Sequence, residues 1–190
     1  FFQGVEARNT HYANIPDVVA KYMDKISEIT GREYHPFNYV GAPDAERVIV
    51  AMGSVNETAE EVVNDLVAKG EKIGLVKVHL FRPFSTKYLL QALPATTKKI
   101  AVLDRTKEGG ASGEPLYLDV LASLKDKDIQ IVGGRYGLGS HDTAPNQIKA
   151  VFDELKKEEP KNGFTVGIED DVTFTSLPVD KDYIIDSDAT

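Results

Sequence analysis

RVIVAMGSVNETAEEVV, residues 47–63, changes its hydrophobic period part-way along. Arg47 to Met52 is a short continuous run of apolar, largely β-branched residues, and Gly53-Ser54 breaks it. Beyond the break, Ala59, Val62, Val63, Leu66 and Val67 recur at i, i+3, i+4 spacing, which predicts a helix with one buried stripe. Ser54 and Glu57 make an S-x-x-E capping box at its start; the alternative reading of Ser54 is an anion site at the helix N-terminus. The stretch reads as strand, tight turn, helix.

The same unit recurs downstream. Ile73 to Val78 is a second strand, followed by a shorter helix over Ser85 to Leu93 with Ser85 as N-cap. Lys99 to Leu103 is a third strand, followed by a long loop and a helix from Glu114 carrying Tyr117, Val120, Leu121 and Leu124 on one face. Ile129 to Val132 is a fourth, and Pro145 opens a helix with Ile148, Val151, Phe152 and Leu155 inward. Phe164 to Ile168 adds a candidate edge strand. Strands that alternate with helices, and that read as continuous apolar runs, predict a parallel sheet buried on both faces. The fold class is therefore α/β: an open, mostly parallel sheet sandwiched by helices over residues 45–168. Residues 169–190 read as an acidic linker.

Upstream, Val19, Tyr22, Met23, Ile26 and Ile29 recur at helical spacing from Pro16, and Gly31 stands where a helix stops. Arg32 to Asp44 shows no period and reads as an aromatic connector, which makes residues 1–44 the end of a preceding domain. The chain begins with Phe1 rather than Met, from which we expect a larger polypeptide.

Composition narrows the function. The 190 residues are 42% apolar and 27% charged, ordinary for a globular domain. Twenty-two Lys and Arg against 30 Asp and Glu give a formal charge of −8, the wrong sign for a chain that neutralises phosphates, so neither nucleic acid nor an anionic membrane is expected as partner. With no Cys the chain offers no thiolate to zinc or to an iron–sulfur cluster. No apolar run approaches the roughly 20 residues that span a bilayer. A soluble, cytoplasmic protein is expected.

In an open parallel sheet, ligands bind beyond the carboxyl ends of the strands. Four loops lie there: Gly53-Ser54, His79 to Phe84, Asp104 to Gly113 and Gly133 to Thr143. The last two hold seven Gly with Arg105, Lys107 and Arg135, a composition that suits either an anion cradle or tight connections. No Walker or dinucleotide fingerprint and no G-x-S-x-G elbow occurs. The four His are not spaced for a helical metal site. His79 either faces the crevice or packs. Glu169, Asp170 and Asp171 form either a weak Ca²⁺ site or a solvated surface. Arg82, with Phe81 and Phe84, either anchors another domain or caps the sheet. We take Arg82, Arg105, Lys107, Arg135 and Tyr136 as candidate interdomain contacts, and no residue as catalytic, cofactor-binding or metal-ligating.

Four strings narrow the reading further: DRTKEGGASGEPLYLDV from Asp104, IVGGRYGLGSHDTAPNQI from Ile131, GAPDAERVIVAMGSVNETAEEVV from Gly41, and FFQGVEARNTHYANIPDVVAKYMDKISEITGREYHPFNYV from Phe1. Together they resemble the pyruvate:ferredoxin (or flavodoxin) oxidoreductases, over essentially the whole chain. The resemblance implies the end of a first domain plus a second domain similar to the transketolase C-terminal domain. It implies that the parent enzyme oxidatively decarboxylates pyruvate to acetyl-CoA and CO₂, with thiamine diphosphate, Mg²⁺ and [4Fe-4S] clusters as cofactors and coenzyme A as co-substrate. Ferredoxin or flavodoxin would take the electrons. The implied partners of this segment are the other domains of its polypeptide and the second subunit of a homodimer. The residues themselves suggest its role: an open sheet flanked by aromatic, Arg-bearing loops and lacking a titratable dyad suits docking against neighbouring domains or the other subunit, and the alternative is a phosphate or coenzyme A module built on the glycine-rich loops.

Overall fold

The computed structural model describes residues 1–185. Four short parallel strands form its centre: β2 (Arg47–Met52), β3 (Ile73–Val78), β4 (Lys99–Asp104) and β5 (Gln130–Arg135). An antiparallel β1 (Phe37–Gly41) flanks β3, and a two-residue β6 (Phe164–Thr165) flanks β5, giving the order β1-β3-β2-β4-β5-β6. Side chains alternate across each strand. Ile49, Ala51, Ala101 and Leu103 enter one core with α3 (Val55–Ala68) and α6 (Pro145–Glu154). Val48, Val50, Ile100 and Val102 enter the other with α4 (Thr86–Ala92) and α5 (Pro115–Ser123). Burial on both faces is why these strands carry no polar alternation. The expected open α/β sandwich is the observed fold.

Several details differ from the expectations. The stretch read as a connector contains β1, paired from Phe37↔Val78 to Gly41↔Gly74. An edge strand of five residues, pairing with a segment more than thirty positions away, carries too short a pattern to declare itself. The first long helix, α2 (Asn9–Thr30), follows α1 (Phe2–Ala7) and runs straight through Pro16 rather than starting there. Proline removes one amide donor, and the carbonyl that loses its partner belongs to Tyr12, which is exposed to water. Gly31 ends the helix in the left-handed conformation, as expected.

The capping box does not form: Ser54 has helical dihedrals and its side chain makes no capping bond. The turn is closed instead by backbone bonds from Asn56 N–H to Gly53 O and from Glu57 N–H to Ser54 O. Ser85 does cap α4, accepting from the Tyr88 N–H. Leu177 is buried, and Val179, Tyr183 and Ile185 pack against the α3/α6 core, so residues 177–185 of the expected acidic linker lie on the body, while Val172 and Phe174 before them are exposed. Residues 186–190 lie outside the described residues.

Candidate functional site at the carboxyl edge of the sheet

Two buried acids organise this edge. Asp104 ends β4, and its carboxylate accepts the N–H groups of Leu116 (3.0 Å) and Tyr117 (3.1 Å), capping α5 from the sheet rather than from the preceding residue. Burial pushes its pKa up, against the pull of the two N–H groups. Glu114 stands just before α5, with its side chain only 5% exposed, 3.5 Å from Arg135 and 3.8 Å from Lys107. Arg135 also donates to the Gly163 carbonyl (2.8 Å). Tyr136 is buried and donates to the Met52 carbonyl (3.2 Å), tying the end of β5 to the end of β2. Burial raises its phenol pKa. Arg105 is exposed, and its Nε donates to the Gly137 carbonyl (3.0 Å).

The fold thus gathers Arg105, Lys107, Arg135 and Tyr136 at one edge. Lys107 and Arg105 face solvent, whereas Arg135 and Tyr136 are turned inward and brace the loops from beneath. Arg82 makes its contacts elsewhere: it lies over the Phe81 ring (3.8 Å to the centroid) and pairs with Asp119 of α5 (2.6 Å). His79 is exposed, with Nδ1 3.0 Å from the His35 carbonyl. Asp171 is spent on its own turn, accepting from Thr173 and Ser176, and no group of three metal-ligating side chains occurs among the described residues.

The glycine-rich reading needs correction. Gly133 and Gly134 lie inside β5 rather than in the loop, and a Cβ on Gly134 would collide with the Phe164 ring. On Gly133 it would come within 2.9 Å of the Tyr117 ring. These two glycines admit aromatic rings, not an anion. What remains open beyond the strands is a cavity of about 550 Å³ lined by Arg135, Leu138, His141, Gln147 and Ile168 among others. A smaller one of about 240 Å³ is lined by Ser54, Thr58, Arg105 and His141. The smaller lies between the ends of β2 and β4, where the strand order reverses. Its lining is largely polar: Ser54, Thr58, Thr143, Arg105, His141 and Asp142 all border it.

Asp104 and Glu114 escaped the sequence reading. The signals were there: an acid closing an apolar strand run, and an acid immediately before a helix-opening proline.

Residues 45–148 match the family model described as pyruvate:ferredoxin oxidoreductase core domain II. The chain belongs to that family. It is 59% identical over 186 residues to the pyruvate:ferredoxin oxidoreductase of Moorella thermoacetica, covering 97% of this chain and 16% of the relative. It is 60% identical over 180 residues to the pyruvate-flavodoxin oxidoreductase of Klebsiella pneumoniae, covering 94% and 15%. The chain therefore spans about a sixth of the length of these two relatives. Among solved structures it aligns with a 2-oxoglutarate:ferredoxin oxidoreductase from Magnetococcus marinus with 2-oxoglutarate, coenzyme A and succinyl-CoA bound. There the TM-score is 0.45 at 18% identity, over 76% of this chain and 23% of that one. The resemblance seen in the four sequence strings is thus a family membership.

Proposed function

We propose that this core domain II is a docking and scaffold domain of a cytoplasmic pyruvate:ferredoxin (flavodoxin) oxidoreductase. In this reading the parent enzyme oxidatively decarboxylates pyruvate with coenzyme A to acetyl-CoA and CO₂, and reduces ferredoxin or flavodoxin. The partners of the domain are other domains of the same polypeptide and the second subunit of a homodimer. The residues present do not fit an iron–sulfur cluster, because the chain has no Cys. Thiamine diphosphate, Mg²⁺ and the clusters are assigned to other parts of the longer protein, and no reaction step runs through residues of this chain.

The observation that carries the reading is an uncovered apolar side of α2. Val18, Tyr22, Ile26 and Ile29 are 51%, 59%, 47% and 84% exposed, while Pro16 on the neighbouring side is buried. Four large apolar residues along one side of a helix are what a partner surface buries. We assign the occupant to a part of the same longer polypeptide. α2 lies outside the matched domain, which begins at residue 45, yet the long relatives align across it. Residues 1–44 then belong with the preceding domain and residues 45–168 form the second. Arg82, Arg105 and Lys107 contribute exposed cationic contacts, and Arg135 and Tyr136 hold the loops that present them.

The test uses the longer oxidoreductase that contains this segment. Tyr22→Asp with Ile26→Asp, and separately Arg105→Ala with Lys107→Ala, are expected to raise the fraction of misassembled protein on size-exclusion chromatography. The kcat of pyruvate-dependent dye reduction in the assembled fraction should stay within about twofold. An assembled variant that has lost kcat would overturn the scaffold reading. Calorimetric titration of the 190-residue chain with coenzyme A separates the alternative: saturable heat would make the carboxyl-edge loops a ligand module.

A further inference from the structure

After β6 the chain does not leave the sheet edge. The Leu177 N–H bonds the Thr165 carbonyl (2.9 Å), and Leu177 is 4% exposed. From there residues 178–185 pass over the outer side of α3 and α6, laying Val179, Tyr183 and Ile185 on the same core. Tyr183 makes contacts with both helices at once. Its hydroxyl donates to Asp65 of α3 (2.6 Å), and its ring lies 5.5 Å from Lys69 at the end of α3 and 5.5 Å from Lys149 of α6.

The surrounding charges are arranged to hold these groups in place. Asp65 pairs with Lys69 four residues on (2.8 Å), and Lys149 with Asp153 four residues on (2.7 Å), so each cation beside the ring is steadied by its own helix. Lys149 also reaches Asp180 of the crossing segment (3.7 Å). Asp180 closes the turn before the ring: its carbonyl accepts the Tyr183 N–H, and its carboxylate accepts the Asp182 N–H (3.1 Å). A tyrosine between two cations, with its hydroxyl on a carboxylate, combines apolar burial, cation–π attraction and a charge-assisted hydrogen bond in one side chain.

We infer that Leu177–Ile185 is a strap that ties α6 to α3, latched by Tyr183, and that it carries the chain from the β6 edge onto the outer face of these two helices as far as Ile185. The inference rests on contacts within this chain and is independent of what covers α2.

Trypsin tests it, because exposed Lys-Asp bonds occur in two different settings. Lys181-Asp182 lies in the strap, and Lys125-Asp126 and Lys127-Asp128 lie in the α5–β5 loop, where the cut after Lys127 serves as the reference. Cleavage of a folded segment follows the population of its open form. In the 190-residue chain, cutting after Lys181 should be slower than after Lys127. Tyr183→Ala should speed it about tenfold and Lys149→Met about threefold, with the Lys127 rate unchanged. Equal rates at the two sites in the unsubstituted chain would overturn the strap, and so would a Lys181 rate that neither substitution moves. Should Tyr183→Ala also speed the cut after Lys127, the body itself has opened. Lys149→Met then decides alone: selective acceleration at Lys181 supports the latch and an unchanged rate overturns it.

Discussion

Gly134 carries no side chain because the Phe164 ring occupies the space a Cβ would need. The adjacent Gly133 makes the same concession to Tyr117 on the opposite face. A central strand normally disfavours glycine, so two in succession mark a place where rings must approach backbone. Gly134→Ala is therefore expected to destabilise the domain by about 1–3 kcal/mol, the usual cost of overpacking a full core. Urea unfolding of the two proteins measures it, and an unchanged midpoint would show that Phe164 moves aside freely. In the sequence these residues looked like loop, because glycine next to glycine also signals a turn; only the partner ring, about thirty positions away, distinguishes the two meanings. Arg135 and Tyr136 illustrate the same limit. Sequence reasoning placed both at the carboxyl edge of the sheet, and could not tell that their side chains turn inward to Glu114 and Met52.

At the scale of elements, α2 and α4 differ in what their apolar residues do. Leu89 of α4 is fully buried, whereas Ile29 of α2 stands 84% exposed. Helical periodicity announced α2, and the recurring strand–helix unit with its Ser85 cap announced α4; neither signal states what buries the apolar residues. In the 190-residue chain, Tyr22→Lys or Ile29→Lys should change stability by no more than about 0.5 kcal/mol. Leu89→Ala should cost about 2–5 kcal/mol. Thermal and urea unfolding of the three variants make the comparison; a large loss at Ile29 would mean that this side of α2 is already covered in the isolated chain. The strap is the opposite case. An acidic, weakly patterned stretch reads as linker, yet three apolar residues spaced two to four apart suffice to lay it on a helical face.

Over the whole molecule, acid sensitivity is set by carboxylates paired with lysine and arginine. The Lys69 ammonium and the Tyr183 hydroxyl hold Asp65 below the ordinary carboxylate range. Burial works against the same shift at Glu71 and Asp153, but Arg47 with Lys156, and Lys149 with Lys156, outweigh it. Groups with lowered folded pKa values contribute stability that is present above their unfolded values, roughly 4, and is lost as pH falls through the folded ones. Asp104 has the opposite sign: its value is raised, so the folded state holds that proton more tightly, and stability declines as pH rises from the unfolded value through the folded one. With several lowered groups against one raised, the urea midpoint should fall steadily from about pH 4 to about pH 2. Asp65→Asn should make that fall shallower. A midpoint that stays level or climbs on acidification would refute this balance.

The order of amino acids was enough to settle the architecture and the family. Hydrophobic period is a local property, and each strand–turn–helix unit carries its own signal within about thirty residues; the specific strings of the loops carry the kinship. Tertiary structure alone decided everything that depends on a partner distant in the chain. It made a strand of residues 37–41, by placing them beside β3. It made glycines of β5 into ring pockets, turned two candidate contact residues inward, left one side of α2 bare, and folded the acidic tail over α3 and α6. The physical reason is common to all five. Burial is a relation between two surfaces, and a sequence states only one of them at a time.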